Sequence, residues 1–443
     1  MASSRKSQQS PKLGKRIAVA LSGGLDSVVL LDTVCKASST NKSPPEIWAF
    51  HIHHGLQKPA DDWFVFCEKL AQKYKIHFDF RLLHLGADGV QGNIEARART
   101  ARYEALEQLC EEHDIQDLLL AHHQNDQAET VLLQLLRGAG AAGLAGMSEL
   151  RELKNNDATI FLWRPLIHQS KAELEAYAKT NKLKWIEDPS NQNTQYRRNA
   201  IRKFIIPKLE KIQPDAVANL ARSAKVLADS QTLLDRLAKQ DSKAMLEQGG
   251  LKVKPLLIMA QHDLPAANNI VRYWLKTHGL AMPSQERLVA WLKDLSGAKP
   301  DTQLEWLHDE RKIRLWRGQL QITQEEAQKG EWVFKKLNAK SQAEGLPAAW
   351  VKEAQTKGQI EIRPRVGSEK IQIKPNSPRK ALKNLFQEGA IPPWQRQAPL
   401  LFINQELIAV AGIGLSHPHL VKTGPRVLPE WQQVGYLVQN PVK

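Results

Sequence analysis

Residues 22–27, Ser-Gly-Gly-Leu-Asp-Ser, combine side-chain types that bind phosphate. The alternation of Ile17, Val19 and Leu21 predicts a strand before them, and apolar residues at helical spacing from Val28 onward predict a helix after them. Glycines let backbone N–H groups approach a ligand closely, and the unpaired N–H groups at a helix N-terminus attract anions. The sequence therefore predicts a phosphate-binding turn between a strand and a helix, formed by Ser22, Gly23, Gly24, Leu25, Asp26 and Ser27.

This turn differs from the common P-loop, because no lysine follows the glycines as the pattern G-x-x-x-x-G-K-[ST] requires. The hydroxyl groups of Ser22 and Ser27, with the N–H groups of Gly23 and Gly24, fit a pyrophosphate group. The Asp26 carboxylate fits Mg²⁺. The alternative for so short a motif is a tight turn capped by an Asp and Ser pair.

A second candidate group lies in residues 121–130, Ala-His-His-Gln-Asn-Asp-Gln-Ala-Glu-Thr. Asp126 and Glu129 are three residues apart at the predicted start of a helix, so they share one face. That spacing suits two carboxylates that share a divalent metal ion with phosphates. His122 ends the preceding predicted strand, where it can contact the reacting phosphate or base. The alternative is that the acids only complement the helix dipole and that His122 is structural.

Arginines recur in two further stretches. Residues 95–103 place arginines, Arg102 among them, at helical spacing. They fit the charge of a triphosphate, although pairing with acids of the same helix gives the same pattern. In residues 185–202 a turn-forming Asp-Pro-Ser-Asn leads into a basic helix start that contains Arg198 and Arg202. A loop followed by a charged helix is the plainer interpretation.

Strands and helices alternate through the first half of the chain. Strands are predicted at 17–21, 47–53, 76–85, 117–122 and 160–166, with helices at 28–34, 61–75, 93–113, 127–137 and 170–182. This alternation is typical of a doubly wound α/β fold with a mainly parallel sheet. Ligands of such sheets lie beyond the carboxyl ends of the strands. We therefore expect Ser22–Ser27, His53–Gly55 and Ala121–Asp126 to meet at one edge.

The second half of the chain has a different pattern, helical from about residue 214 and alternating like a hairpin at 302–323. A small α+β module is predicted after Trp350. The predicted organisation is a basic tail at 1–15, a catalytic domain at 16–213, a mainly helical domain at 214–323, a linker at 324–349 and a basic α+β domain at 350–443.

The composition favours a partner that is a polyanion. The chain has 62 Lys and Arg against 47 Asp and Glu, a formal charge of +15, and residues 352–383 hold nine Lys or Arg against three Glu. Nucleic acid fits this excess, although a solvated basic face gives a similar count. The three cysteines, Cys35, Cys67 and Cys110, include no C-x-x-C pair, which disfavours a zinc or iron–sulfur site. No apolar run reaches bilayer-spanning length, so we expect a cytoplasmic protein.

Taken in order, these stretches resemble the tRNA(Ile)-lysidine synthase family, whose SGGxDS turn is the PP-loop of N-type ATP pyrophosphatases. The resemblance continues into PRKALKNLFQEGAIPPWQR at 378–396 and so covers nearly the whole chain. It rests on SGGLDS (22–27), HIHHGL (51–56), EARARTARY (95–103), AHHQNDQAET (121–130), WIEDPSN (185–191) and RRNAIR (197–202).

The resemblance implies an adenine nucleotide α-hydrolase-like fold and a two-step ligation. ATP would adenylate the C2 oxygen of the wobble cytidine in the CAU-anticodon isoleucine tRNA, and L-lysine would then displace AMP, so that the anticodon reads AUA. It does not determine the oligomeric state, including whether the protein is a dimer. It also does not identify the residues that bind lysine. It implies catalytic roles for Asp26, His122, Asp126, Glu129, Arg102, Arg198 and Arg202, and Mg²⁺ held by Asp26, Asp126 and Glu129.

Three alternatives fit parts of the sequence. A sulfur-inserting tRNA enzyme with the same turn needs a cysteine pair or a cluster cofactor. A GMP-synthetase-like enzyme needs a domain that generates ammonia with a catalytic cysteine. A non-catalytic tRNA-binding protein explains the charge but leaves Asp26, Asp126 and Glu129 without a role. Release of pyrophosphate from ATP separates the enzymes from the binding protein.

Overall fold

The chain forms two compact units, Met1–Arg236 and Leu237–Lys443, in the computed structural model. The structure describes residues 13–53, 59–83, 94–155, 158–187, 189, 193–299, 302, 304–323, 330–338, 341–389, 391–396 and 399–433. Most of the predicted basic tail therefore lies outside the described residues. Among those that are described, no helix is both long enough and apolar enough to cross a bilayer.

The first unit alternates strands with helices along the chain. Its elements are β1 (Arg16–Ala20), α1 (Leu25–Ser39), β2 (Glu46–His53), α2 (Pro59–Tyr74), β3 (His77–Leu82), α3 (Ile94–Glu112), β4 (Asp117–Leu119), α4 (Gln124–Leu135), α5 (Ala141–Leu144), β5 (Leu150–Asn155), β6 (Ala158–Trp163), α6 (Lys171–Thr180), α7 (Arg197–Ala200), α8 (Ile206–Ile212) and α9 (Ala216–Asp241), with a π-helical segment, Ile201–Ile205, between α7 and α8.

The six strands form one sheet in the order β3-β2-β1-β4-β6-β5. All neighbours are parallel except β5, which pairs antiparallel with β6. The doubly wound, mainly parallel sheet predicted from the sequence is confirmed. The sequence did not predict β5, because this edge strand is polar, with Arg151 and Glu152 exposed, and carries no apolar run. The strand predicted at 160–166 ends earlier, at Trp163.

Side chains alternate between the two faces of the sheet, so β1 contributes to two cores. Ile17 and Val19 pack in one cluster with residues of α1, α2 and α6. Ala18 packs in the other, together with Leu109 of α3. Helices on both faces bury Ile17, Ala18 and Val19 of β1, which fixes the carboxyl end of this strand in place.

One buried carboxylate connects helices α1, α2 and α6. Asp32 of α1 accepts hydrogen bonds from Tyr74 Oη of α2 at 2.6 Å and from Tyr177 Oη of α6 at 2.7 Å, and Lys36 Nζ lies 2.8 Å from it. Burial raises the pKa of Asp32, but the bonds from Lys36 and the two tyrosines more than offset this and hold the pKa below its usual value.

The second unit begins with a helical part and ends in a β-rich part. Its elements are β7 (Leu246–Glu247), β8 (Gly250–Lys252), α10 (Val253–His262), α11 (Leu264–Thr277), α12 (Gln285–Gly297), β9 (Glu305–His308), β10 (Arg311–Trp316), β11 (Gln319–Thr323), β12 (Gly330–Lys336), β13 (Leu346–Pro347), α13 (Ala348–Thr356), β14 (Ile360–Arg363), β15 (Lys370–Ile371), β16 (Lys380–Ala381), α14 (Leu382–Glu388), β17 (Leu400–Ile403), β18 (Glu406–Val410), β19 (Gly414–Leu415) and β20 (Arg426–Gln433).

Two predictions for this unit need correction. The predicted hairpin at 302–323 is three strands of a five-stranded sheet, β7-β8-β11-β10-β9, whose core includes Trp274 and Trp291. The predicted linker at 324–349 contains β12, which pairs antiparallel with β20 over its whole length and buries Trp332. The partner of β12 is close to the end of the chain, and a pairing between segments so far apart leaves no local signal in the sequence.

Asp32→Asn is expected to lower the free energy of unfolding at pH 7 by roughly 2–3 kcal/mol, because an amide cannot replace the charge-assisted bonds of a buried carboxylate. The folded-state pKa of Asp32 lies below the unfolded value. Its contribution is therefore complete above the unfolded value, near pH 4, and is lost as the pH falls through the folded value. Urea unfolding at pH 7 and pH 3 should show the deficit of the variant shrinking in acid.

The matched control is Asp229→Asn, which changes an exposed aspartate of α9. It should alter stability by less than about 0.5 kcal/mol. An Asp32→Asn deficit that stays the same at both pH values would contradict the role given to the charge.

Candidate active site

The turn between β1 and α1 has a backbone conformation that requires glycine. Gly23 has φ +84°, and a Cβ there would lie 3.2 Å from Cys67 Sγ and 3.3 Å from Ile186 Cδ1. The N–H of Ile186 donates to the Gly23 carbonyl at 2.9 Å. Ile186 belongs to the stretch 185–191 noted in the sequence, so the start of that stretch contacts this turn. Helix α1 already begins at Leu25, so Leu25, Asp26 and Ser27 belong to its first turn and only Ser22, Gly23 and Gly24 precede it.

The two serines close this turn before any ligand binds. Ser27 Oγ donates to the Gly24 carbonyl at 3.0 Å and accepts from the Ser22 N–H at 3.2 Å, and the two hydroxyl oxygens lie 3.1 Å apart. The N-cap residue Gly24 makes no side-chain capping bond. The N–H groups of the first helical turn are thus left without a side-chain cap, as an anion site at a helix N-terminus requires.

Two carboxylates approach one histidine at this edge of the sheet. His123 Nε2 lies 3.5 Å from an Asp26 oxygen and 3.5 Å from an Asp126 oxygen. His123 is also the N-cap of α4: its Nδ1 accepts from the Asn125 N–H, and its own N–H donates to Asp126 Oδ2 at 3.1 Å. This capping box fixes Asp126 and the imidazole together.

The protonation of His123 follows from these contacts. Burial lowers its pKa, but Asp26, Asp126 and Glu129 more than offset this and raise it. The N–H of Asn125 needs an unprotonated Nδ1 and opposes the imidazolium. In its neutral form the ring therefore carries its proton on Nε2, facing the two carboxylates, and the raised pKa shows that these carboxylates favour its further protonation.

Glu129 pairs with two arginines, Arg198 of α7 and Arg202 of the π-helical segment. Its side chain is 1% exposed, with Oε2 2.6 Å from Arg198 Nε and Oε1 2.5 Å from Arg202 Nε. Arg198 also donates to Asp126 Oδ1 at 2.9 Å. The structure thus brings Asp26, Asp126, Glu129, Arg198 and Arg202 into one cluster. Both oxygens of Glu129 contact arginines, so a metal ion bound by Glu129 would compete with these contacts.

His122 follows β4, and Arg102 lies on α3. His122 Nδ1 is buried and has no hydrogen-bond partner in the described part of the chain. Burial lowers the pKa of His122 to about 3, with the charges of Arg164, Arg198 and Arg99 adding to the effect and Asp126 opposing it. Arg102 is exposed on α3, where its charge acts on His51, which contacts the Leu21 carbonyl at 2.8 Å.

Some predicted positions lie outside the described residues, namely His54, Gly55, Asp188, Ser190 and Asn191. Two site residues were not predicted. His123 was passed over for its neighbour His122, although its place before a capped helix was a usable signal. Arg164 was assigned to the interior of a strand, whereas it directly follows the carboxyl end of β6.

The residues fit a divalent cation at the Asp26 and Asp126 pair. Asp26 Oδ1 is buried and has no partner among the described residues. The other oxygen of Asp26 and one of Asp126 approach the same imidazole nitrogen. Carboxylate oxygens are the ligands that Mg²⁺ prefers. An orphaned buried oxygen beside a second carboxylate is what such an ion requires.

Another carboxylate and histidine group, Asp79, Glu112 and His113, lies at the opposite edge of the sheet, where α3 leads into β4. His113 Nε2 is 2.7 Å from Asp79, and Arg81 contacts both carboxylates. Trp48 packs on the His113 ring with centroids 4.0 Å apart. Arg81 offsets one of the two negative charges and His113 bonds to Asp79, so the group forms a network of contacts within the chain.

Three family models match the chain in succession. Residues 2–209 match a PP-loop domain, residues 256–321 match the TilS substrate binding domain, and residues 360–428 match the TilS substrate C-terminal domain. The first match spans the described site, and the other two fall in the second unit.

Curated relatives match over nearly the whole chain, and each is named tRNA(Ile)-lysidine synthase. That of Ralstonia nicotianae is 36% identical, covering 90% of this chain and 88% of the relative. That of Burkholderia pseudomallei is 34% identical, covering 90% and 89%. That of Shigella flexneri is 32% identical, covering 95% and 96%.

Among solved structures, the U34-tRNA thiolase NcsA from Methanococcus maripaludis with its 4Fe-4S cluster is similar at 20% identity. The TM-score is 0.43, and the match covers 49% of this chain and 73% of that one. This likeness is too distant to carry an argument.

Glu129→Gln is expected to destabilise the protein by about 3 kcal/mol, because it leaves two partly buried guanidinium groups without their shared carboxylate. Chemical unfolding followed by circular dichroism measures the loss. Glu175→Gln, which changes an exposed partner of Lys171 on α6, is the control and should cost less than about 0.5 kcal/mol. Equal stability of the two variants would show that the arginines do not depend on Glu129.

Proposed function

Because relatives at 32–36% identity match at least 90% of its length, the chain belongs to the tRNA(Ile)-lysidine synthase family, an ATP-dependent ligase family, and we propose how its residues perform this ligation. The substrates proposed are ATP, L-lysine and the isoleucine tRNA with a CAU anticodon, and the reaction is placed in the cytoplasm. The observation that carries the proposal is the meeting of Asp26, Asp126 and Arg198 at the edge of the sheet beside the turn after β1.

In the first step the C2 oxygen of the wobble cytidine attacks the α-phosphorus of ATP, and pyrophosphate leaves. We assign the pyrophosphate to the N–H groups of Gly23 and Gly24 and to the Ser22 and Ser27 hydroxyls. Their turn is already formed, so little ordering is needed when the ligand binds. The uncapped N-terminus of α1 adds a favourable dipole.

We assign Mg²⁺ to Asp26 and Asp126, where it would neutralise charge on the phosphates when bound. Glu129 is assigned a different task. Since both its oxygens contact arginines, it holds Arg198 and Arg202 in position, and direct coordination by Glu129 would require those contacts to break. Arg198 and Arg202 then face the negative charge that develops as pyrophosphate departs.

In the second step the ε-amine of lysine forms the new bond to C2 while the bond from C2 to the AMP oxygen breaks, and AMP leaves with the electron pair. The amine must arrive unprotonated. His122, whose ring burial keeps neutral, lines the edge where this happens and adds no full charge next to the incoming amine.

The sulfur-inserting alternative is disfavoured by the cysteines. All three are free. Burial raises the pKa of Cys67 and Cys110 to about 12, and burial with the charge of Asp32 raises that of Cys35 to about 11. Thiols held in their protonated form are poor nucleophiles and poor cluster ligands.

The second unit offers a surface for tRNA phosphates. The Arg317 and Arg396 guanidinium groups both lie over the Trp316 ring, at 5.6 and 5.5 Å from its centroid. Burial lowers the pKa of Arg396, and the charges of Arg365 and Arg317 lower it further. Guanidinium groups that repel one another gain from a polyanion, and the half-buried Trp316 ring beneath them holds both groups at one place.

Asp26→Asn is expected to reduce pyrophosphate release by at least about 10²-fold, since it removes the carboxylate nearest the phosphate turn. The fold should survive, because the Asp26 side chain is 37% exposed and approaches His123 Nε2 only at 3.5 Å. Pyrophosphate release with ATP, tRNA and a Mg²⁺ titration measures the effect. Asp62→Asn, an exposed change in α2, is the control. Near-normal release by a folded Asp26 variant would refute the assignment.

The double change Arg317→Gln and Arg396→Gln is expected to weaken tRNA binding and to lower the slope of log K against log salt by about 1 to 2, as the loss of two phosphate contacts predicts. Filter binding across a salt series measures it. Lys254→Gln with Lys293→Gln removes the same charge from exposed positions on α10 and α12. If both pairs of changes lower the slope equally, net charge and not this surface binds the tRNA.

A further inference from the structure

Arg164 is a buried cation that lacks a matching anion. It is 4% exposed, directly after β6. One terminal nitrogen donates to the Ser148 carbonyl at 2.7 Å, while Nε is buried with no hydrogen-bond partner in the described ranges. No salt bridge joins Arg164 to an Asp or Glu of the described chain. Buried charges in proteins are otherwise paired, because removing them from water costs several kcal/mol.

The groups around Arg164 increase this cost. Burial lowers its pKa, and Arg151 and Arg99 lower it further, while the adjacent Tyr103 side chain opposes the shift. Arg99 itself lies over the Tyr103 ring at 5.3 Å. Three arginines therefore act on one small region, where they repel one another unless an anion joins them.

The position of Arg164 relates it to the reaction centre. β6 pairs with β4, and β4 pairs with β1, all parallel. The carboxyl end of β6 therefore lies at the same edge as the phosphate turn, two strands and about 10 Å away. His122 follows β4 between the two places, and it is influenced by Asp126 on one side and Arg164 on the other.

We propose that Arg164, with Tyr103 beside it, binds the α-carboxylate of the lysine substrate and so selects the amino acid over a simple amine. The proposal rests on the function proposed above. A carboxylate provides the two acceptor oxygens that a guanidinium group binds best. Arg164 is a specificity residue here, and it forms and breaks no bond.

The shape of lysine favours this carboxylate over a phosphate of ATP. The phosphates are assigned to the turn after β1, two strands from Arg164. Lysine carries its carboxylate and its nucleophilic ε-amine at opposite ends of a four-carbon stem. With the carboxylate at Arg164, the stem passes the neutral His122 and brings the amine toward the cluster of Asp26 and Asp126, where cytidine C2 reacts.

The test compares lysine with lysinamide, which has the same stem and amine but no carboxylate, in the full-length enzyme with ATP and tRNA. Wild type should prefer lysine. Arg164→Gln should raise the KM for lysine by about thirtyfold or more, leave the KM for ATP within about twofold, and leave kcat/KM for lysinamide unchanged. The preference for lysine should therefore disappear. The KM of Arg164→Lys for lysine should lie between those of wild type and Arg164→Gln.

Arg222→Gln is the matched control, since Arg222 is an exposed arginine of α9 and should keep the wild-type preference. A folded Arg164→Gln that still prefers lysine overturns the proposal. A raised KM for ATP with an unchanged KM for lysine also overturns it, because the anion is then a nucleotide phosphate. If circular dichroism shows that Arg164→Gln does not fold, Arg164→Lys and Tyr103→Phe are measured instead. Their ratio of kcat/KM for lysine to kcat/KM for lysinamide then decides. A wild type without lysine-dependent product would refute the proposed function itself.

Discussion

The pairing of Glu129 with Arg198 and Arg202 is the constraint on which the site depends. A carboxylate that is 1% exposed is stable only if its charge is met, and both oxygens of Glu129 are met by arginines. Arg198 and Arg202 are four residues apart, at α7 and the π-helical segment. Irregular helices of this kind are common at functional sites, and here the segment presents both guanidinium groups to a single acid.

This pairing also separates the charges at the edge of the sheet. The arginines bind both oxygens of Glu129 and one oxygen of Asp126, while Asp26 and the other oxygen of Asp126 approach His123 beside the turn after β1. His123 lies between them with its N–H toward both, and the capping box fixes its ring. The sheet positions these groups because each follows a buried strand or begins the helix after it. Preorganisation of this kind reduces the reorganisation that charge development would otherwise need.

The sequence predicted the sheet and most of this cluster, because periodicity locates strands and helices and the chemistry lies at their ends. It failed where the information is not local. The pairing of β12 with β20 depends on residues far apart in the chain, and β5 is a polar edge strand. The ion pairs of Glu129 were likewise not predictable, since spacing along a helix cannot show that Arg198 and Arg202 return from more than sixty residues away.

Glu129 and Arg164 are both buried charges, but only Glu129 is paired with opposite charges of the described chain. Glu129 has partners within the chain, so its charge supports the structure with or without a substrate. Arg164 is similarly buried but has a carbonyl contact, a neighbouring tyrosine and two nearby arginines. Folding alone gains nothing from a charge in such surroundings. The arrangement becomes favourable only when an anion arrives, and the free energy of that pairing is then available for binding and for choosing among substrates.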